Sequence, residues 1–143
     1  MFWILKRYDV HLSPEVHGQI MQQGKPQAGI NVFRSLTYGK ENIEKTTTDA
    51  QGKFHFQEKW IRSRIPGRLL DETRNRQIIY AETGGEKFVL WYAVTDSIEP
   101  ELTVKNKLAS MHCDLDTPEK QQHFVRHEHP SFTHNISSIC RWE

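Results

Sequence analysis

Three groups of residues in this 143-residue chain have types that could do chemistry. The first lies late in the chain. His127 and His129 alternate, which on a strand places both imidazoles on one face. His112, Cys113, His123, His134 and Cys140 lie nearby, with Asp114 and Asp116 adding carboxylates. Zinc takes four such ligands in a tetrahedron. The spacing matches no standard zinc motif, however, and Pro130 interrupts the segment just after His129. His127 and His129 are thus the metal candidates, set against surface or structurally satisfied histidines, and no cofactor is expected. The second group is Arg62, Arg64, Arg68, Arg74 and Arg76 between Ile61 and Arg76, beside Asp71 and Glu72. Either these arginines form a solvated loop with internal ion pairs, or they form a recognition loop for an acidic patch on a protein partner. The planar guanidinium suits the second role, because it binds carboxylates through two parallel hydrogen bonds. Tyr38, at the start of a polar loop from Tyr38 to Asn42, is a further partner-binding candidate. The third group is the cysteine pair Cys113 and Cys140. Free buried thiols, a disulfide joining the two segments, and metal ligation all remain open for it. The absence of a recognisable secretory signal favours reduced thiols.

Other catalytic signatures are missing. There is no G-x-S-x-G elbow, no phosphate-binding loop and no G-x-G-x-x-G. Trp60, Trp91 and Trp142 read as core or core-edge. Any of them that is exposed becomes an anchor candidate, because interfaces favour tryptophan and arginine together.

The elements that must position these residues are mostly short strands. Val16 to Met21, Ile30 to Leu36, Glu44 to Thr48 and Phe54 to Phe56 read as strands, with turn chemistry at Gln23-Gly24-Lys25-Pro26 and Asp49-Ala50-Gln51-Gly52. Gln77 to Glu82 and Lys87 to Thr95 flank Gly84-Gly85 as a hairpin. Strict alternation would put Phe88, Leu90 and Tyr92 on one face and Val89, Trp91 and Ala93 on the other. Pro100 to Met111 is the best helix, with Leu102, Leu108 and Met111 on one stripe. His123 to Arg126 and Ile136 to Trp142 read as late strands. About eight strands with one or two helices suggest one mainly β domain over residues 1–143, a β-sandwich with a short helical insertion.

Lys+Arg number 19 and Asp+Glu 18, a net charge of +1. That balance argues against nucleic acid or an anionic membrane as the main partner. No run approaches the roughly 18 apolar residues of a membrane helix. Met1 to Leu5 is apolar, but Lys6-Arg7 follow it, the reverse of a secretory signal. A cytoplasmic location is expected, with the periplasm left open.

One stretch is less generic. Gly18-Gln19-Ile20, Gly24-Lys25-Pro26, Gly29-Ile30-Asn31-Val32 and Thr48-Asp49-Ala50-Gln51-Gly52-Lys53-Phe54-His55-Phe56 resemble the transthyretin-like (prealbumin-like) sandwich of carboxypeptidase regulatory-like domains. In that pattern each glycine sits at a turn or bulge, Asp49 caps the turn, and the paired phenylalanines fill the core. Arg62-Ser63, Pro66-Gly67, Leu90-Trp91, Cys113-Asp114-Leu115 and Ser138-Ile139-Cys140-Arg141-Trp142 resemble a bacterial family of small uncharacterised single-domain proteins. The resemblance implies an Ig-like or transthyretin-like sandwich. By analogy with type VI secretion, it also implies a non-catalytic protein-binding role. The first form of that role is an immunity protein neutralising a secreted toxin or effector. The second is an adaptor loading an effector onto the secretion spike. A metal-dependent or hydrolytic enzyme is the third reading.

Overall fold

The computed structural model describes residues 7–67 and 74–142. Arg68 and the Met1 to Leu5 segment therefore lie outside the described residues. Among the described residues, thirteen strands and one α-helix follow one another. They are β1 (Tyr8–Ser13), β2 (Val16–Gln22), β3 (Lys25–Pro26), β4 (Asn31–Tyr38), β5 (Lys40–Thr47), β6 (Lys53–Phe56) and β7 (Lys59–Ser63). After a 3-10 turn at Ile65–Gly67 come β8 (Asn75–Thr83), β9 (Glu86–Thr95), α1 (Leu102–Leu108), β10 (Met111–Asp114), β11 (Lys120–Val125), β12 (Thr133–Ser138) and β13 (Cys140–Arg141).

The fold is mainly β, a sandwich with one short helix. One layer is a six-stranded sheet in the order β11-β12-β9-β8-β4-β5. The other is a five-stranded sheet in which β10 and β6 flank β2, with β10 running parallel to it. β1 and β7 form a separate antiparallel pair. The inward residues of the two larger sheets make the main core, including Ile20, Val32, Phe54, Phe56, Ile79, Leu90, Trp91 and Ile136. α1 adds Val104 and Leu108 to it. A smaller core of Val10, Leu12, Leu36 and Tyr38 lies under the β1–β7 pair.

The boundary between these cores is polar. Along β4 the inward positions are Val32, Arg34, Leu36 and Tyr38, all buried. Arg34 thus separates an apolar residue of the main core from two of the smaller one. Its Nη2 donates to Glu44 Oε1 at 2.7 Å and its Nη1 to Ser13 Oγ at 3.3 Å. The guanidinium carbon lies 5.0 Å from the Phe56 ring centre. Desolvation lowers the Arg34 pKa, and the bond to Glu44 opposes that. On the neighbouring strands, Asn75 Nδ2 and Gln77 Nε2 both donate to the Leu12 carbonyl, at 2.8 and 2.5 Å. Leu12 falls at the irregularity in the β1–β7 register between His11 and Ser13. Its carbonyl therefore needs side-chain donors, and a buried acceptor without one is costly.

Several expectations change. The resemblance-derived roles of Asp49 and the phenylalanines hold: Asp49 Oδ1 accepts from the Gln51 and Lys53 amides at 2.9 Å, and Phe54 and Phe56 are buried. Gly52 sits at φ +75°, and a Cβ there would lie 2.4 Å from the Ile20 carbonyl oxygen. Tyr38 to Asn42 is not an open loop. Gly39 alone, at φ +72°, turns β4 into β5, with Tyr38 opposite Lys40. Ile61 to Arg76 is likewise not one loop, since it holds the end of β7, a 3-10 turn and the start of β8.

In β9 a bulge at the β8 register Ile79/Tyr80 leaves Leu90 without its own partner. The bulge reverses the alternation, so Leu90 and Trp91 are both buried while Tyr92 and Val94 face out. The helix is also shorter than Pro100 to Met111. Glu101, in extended backbone, is its N-cap residue, and Met111 already begins β10.

Cys113 and Cys140 face each other directly across β10 and β13 and form a disulfide. The expectation of reduced thiols therefore gives way to a covalent tie, because the strand pairing brings the two α-carbons to 4.1 Å. Two stability predictions follow from these contacts. Glu44→Ala leaves Arg34 without its carboxylate and lowers the unfolding free energy by about 2–4 kcal/mol, the lower part of the range reflecting the partial exposure of Glu44. Urea denaturation measures this, and a loss under about 1 kcal/mol would contradict the central role of the pair. Replacing both cysteines by serine removes a tie across 27 residues of chain and costs about 3–4 kcal/mol.

Candidate functional site

At the Gly39 end of β4, four hollows adjoin. The largest, about 650 Å³, is lined by Arg7, Tyr38, Lys40, Ile61, Arg62 and Arg64 among others and, among the described residues, by no acidic one. Arg7, Lys40, Arg62 and Arg64 therefore supply positive charge to the groove. Tyr38 is 2% exposed, yet its hydroxyl has no hydrogen-bond partner, and neither does the buried Nε of Arg64. Burial raises the Tyr38 pKa, so the hydroxyl remains a proton donor. An unpartnered buried donor beside several cations is an arrangement that suits an anionic acceptor.

Gly39 is shared with a second hollow of about 340 Å³, formed by Thr37, Arg74, Arg76, Tyr92 and Val94 on the outer face of the six-stranded sheet. Strand register sets this row, because Thr37 lies opposite Arg76 and Arg76 opposite Val94. The β9 bulge is what turns Tyr92 and Val94 outward. A third hollow, about 360 Å³, continues from Arg74, Tyr92 and Val94 to Asp96, Arg126, His134 and Asn135. On the other side, Ile61 and Arg62 are shared with a hollow containing Asp9 and Trp60. Trp60 is 47% exposed, so it is the tryptophan that leaves the core, and its ring meets the His11 ring edge-on. Trp91 is fully buried and Trp142 partly so, in contact with each other.

The arginines predicted as one loop therefore come from two sheets. Arg62 is on β7 and Arg64 just after it; Arg76 is on β8 and Arg74 just before it. Arg62 lies 3.5 Å from Asp9, with both side chains well exposed, so that pair contributes little. Sequence reasoning missed Arg7, Lys40 and Arg126 as neighbours of the group. The one-residue turn at Gly39 was the available signal for Lys40.

Behind the third hollow, Glu101, Arg126 and His134 form a buried cluster. Arg126 Nη2 donates to Glu101 Oε1 at 2.5 Å, and His134 Nε2 lies 2.5 Å from Glu101 Oε2. Among the described residues, no Ser, Thr or Cys side chain hydrogen-bonds to His134 or Glu101, so the pair lacks a nucleophile to activate. Its evident effect is to tie the start of α1 to β12 and to the turn after β11.

The strand face expected for His127 and His129 is corrected. β11 ends at Val125, and His127 and His129 lie in the turn that follows, where the His129 amide donates to the Arg126 carbonyl at 3.2 Å. They do not share a strand face, because Pro130 belongs to a turn rather than a continuing strand. His123 pairs with Asn135, and both cysteines are in the disulfide. Among the described residues, the one close grouping of three metal-type donors is Glu15, His17 and His55, on the five-stranded sheet and its approach.

A family model matches residues 16–118 of the chain. The chain belongs to the DUF6795 family, a domain of unknown function. The DUF6795 span begins at the first residue of β2 and holds Tyr38, Arg62, Arg64, Arg74 and Arg76. Arg126, His134 and Cys140 lie beyond it. No curated protein and no solved structure matches the chain. No helix among the described residues is long and apolar enough to cross a membrane.

The buried histidines set a pH dependence. Burial lowers the His134 pKa from 6.5, with Glu101 opposing and Arg126 reinforcing the shift. Burial likewise lowers that of His11, opposed by its 3.0 Å contact with Glu58. Below about pH 6.5 the unfolded chain thus binds protons that the folded chain resists. Stability is full above that value and falls as the pH drops through it towards the lower folded values. Urea midpoints at about pH 7.5 and 5.5 should show the protein weaker at the lower pH, and His134→Gln should flatten the difference. A level or opposite trend would contradict the assignment.

Proposed function

We propose that this chain is a non-catalytic protein-binding module whose basic end receives an acidic segment of a partner protein. The observation that carries this reading is the groove lined by Tyr38, Arg7, Lys40, Arg62 and Arg64 and, among the described residues, by no carboxylate. A partner's Asp or Glu there would accept from the guanidinium groups through paired hydrogen bonds. Trp60 and Tyr92, exposed beside the arginines, supply the aromatic area that interface hot spots favour.

The finer identity rests on the sequence resemblance. The kinship is with transthyretin-like sandwiches, and the concrete role is an immunity protein that covers a type VI effector. Loading that effector onto the secretion spike is the alternative. The disulfide favours work in an oxidising compartment such as the periplasm over the cytoplasm.

The test uses the product of the neighbouring gene as partner. Titration calorimetry should give binding that the Arg62→Ala/Arg64→Ala pair weakens by about 10–100-fold, or about 1.4–2.8 kcal/mol. Undiminished affinity in that variant, or no binding by the parent, would remove the reading. Host survival when the partner is co-expressed separates immunity from carriage, since only an immunity protein protects.

A further inference from the structure

A different part of the molecule carries a second kind of site. β2 and β6 are antiparallel, with Val16 opposite Phe56, His17 opposite His55 and Gly18 opposite Phe54. Val16, Phe54 and Phe56 are buried, so the alternation turns His17 and His55 outward as a directly facing pair. Their ring centres are 4.5 Å apart. Glu15, one residue before β2, reaches over both: its Oε1 lies 2.6 Å from His17 Nε2 and 3.0 Å from His55 Nε2. The three donor atoms all fall within 4.8 Å of one another.

We propose that Glu15, His17 and His55 bind a divalent transition metal of the zinc class. Zinc bonds of about 2.0–2.2 Å at tetrahedral angles place ligand atoms roughly 3.4 Å apart, which the observed set reaches with small side-chain rotations. Two imidazole nitrogens and one carboxylate suit zinc, cobalt, nickel or copper. Calcium and magnesium seek oxygen ligands instead. The backbone under the site is a paired strand ladder packed on the core, so the two imidazoles are fixed in register before any ion arrives. Each histidine would bind the ion through the Nε2 lone pair, which requires the ring hydrogen to sit on Nδ1. Three protein ligands leave a fourth position to water, making the site open rather than closed. The ion would join the approach to β2, β2 itself and the edge strand β6.

The test is calorimetric titration of the EDTA-treated, dialysed full-length chain with zinc chloride. Visible spectra with cobalt chloride would report tetrahedral coordination. One ion per chain is expected. His17→Ala and His55→Ala should each weaken binding by more than the roughly 10–100-fold typical of losing an outer-sphere partner. The His127→Ala/His129→Ala pair should bind as the parent does, and magnesium chloride should give no heat. All four altered histidines are exposed, so circular dichroism should match the parent. Substoichiometric zinc, or affinity unchanged in His17→Ala and His55→Ala, would overturn the site, leaving the three groups as a surface hydrogen-bond cluster.

Discussion

The fold turns on a positive charge kept out of water. Arg34 projects inward from the middle of β4, where a guanidinium without partners would cost several kcal/mol. It is tolerated because three separate parts of the chain meet it: Glu44 from β5, Ser13 at the corner between β1 and β2, and the face of Phe56 from β6. Each of these contacts fixes a register. β5 must lie against β4 so that Glu44 falls opposite Arg34, and a slip of one residue would turn the charge to the other face. The same register places Tyr38 at the last position of β4, where it lines the basic groove. Fold and candidate site thus share one constraint.

Around that charge the interior is divided rather than continuous. Arg34, Asn75 and Gln77 form a polar seam between the two apolar clusters, and the Trp91 indole N–H closes it by donating to Gln77 Oε1 at 3.2 Å. Apolar contact alone would let the β1–β7 pair settle in several positions against the main sandwich. A seam of directed hydrogen bonds allows far fewer. The groove depends on this, since Arg62 and Arg64 reach it from the β1–β7 side and Lys40 from the β4–β5 turn.

Much of the architecture was legible from local chemistry. Asp49 and Gly52 mark a turn that only certain residues can make, and the Phe54/Phe56 alternation gave a half-buried strand. Gly84-Gly85 gave the β8–β9 hairpin. What failed did so for identifiable reasons. The bulge in β9 is invisible to a period of two, so Leu90 and Tyr92 were grouped on one face although Leu90 is buried and Tyr92 exposed. Arginines close in sequence read as a loop because nothing local reveals that β7 and β8 belong to different sheets. A net charge near zero described the whole chain correctly and said nothing about how cations gather at one end. The His17–His55 pair, 38 positions apart, comes together only through antiparallel register, whereas the closely spaced His127 and His129 are separated from any shared strand face by a turn.

The cysteine tie spans the edge of the DUF6795 match. Cys113 lies inside residues 16–118 and Cys140 outside them. With it come Ile136, Ile139 and the Trp142 ring, which belong to or pack on the main core. A fragment trimmed to residues 16–118 would expose a lone sulfhydryl on an unfilled sheet edge, an invitation to intermolecular crosslinking and open-edge association. The cooperative folding unit is therefore larger than the span by which the family is defined.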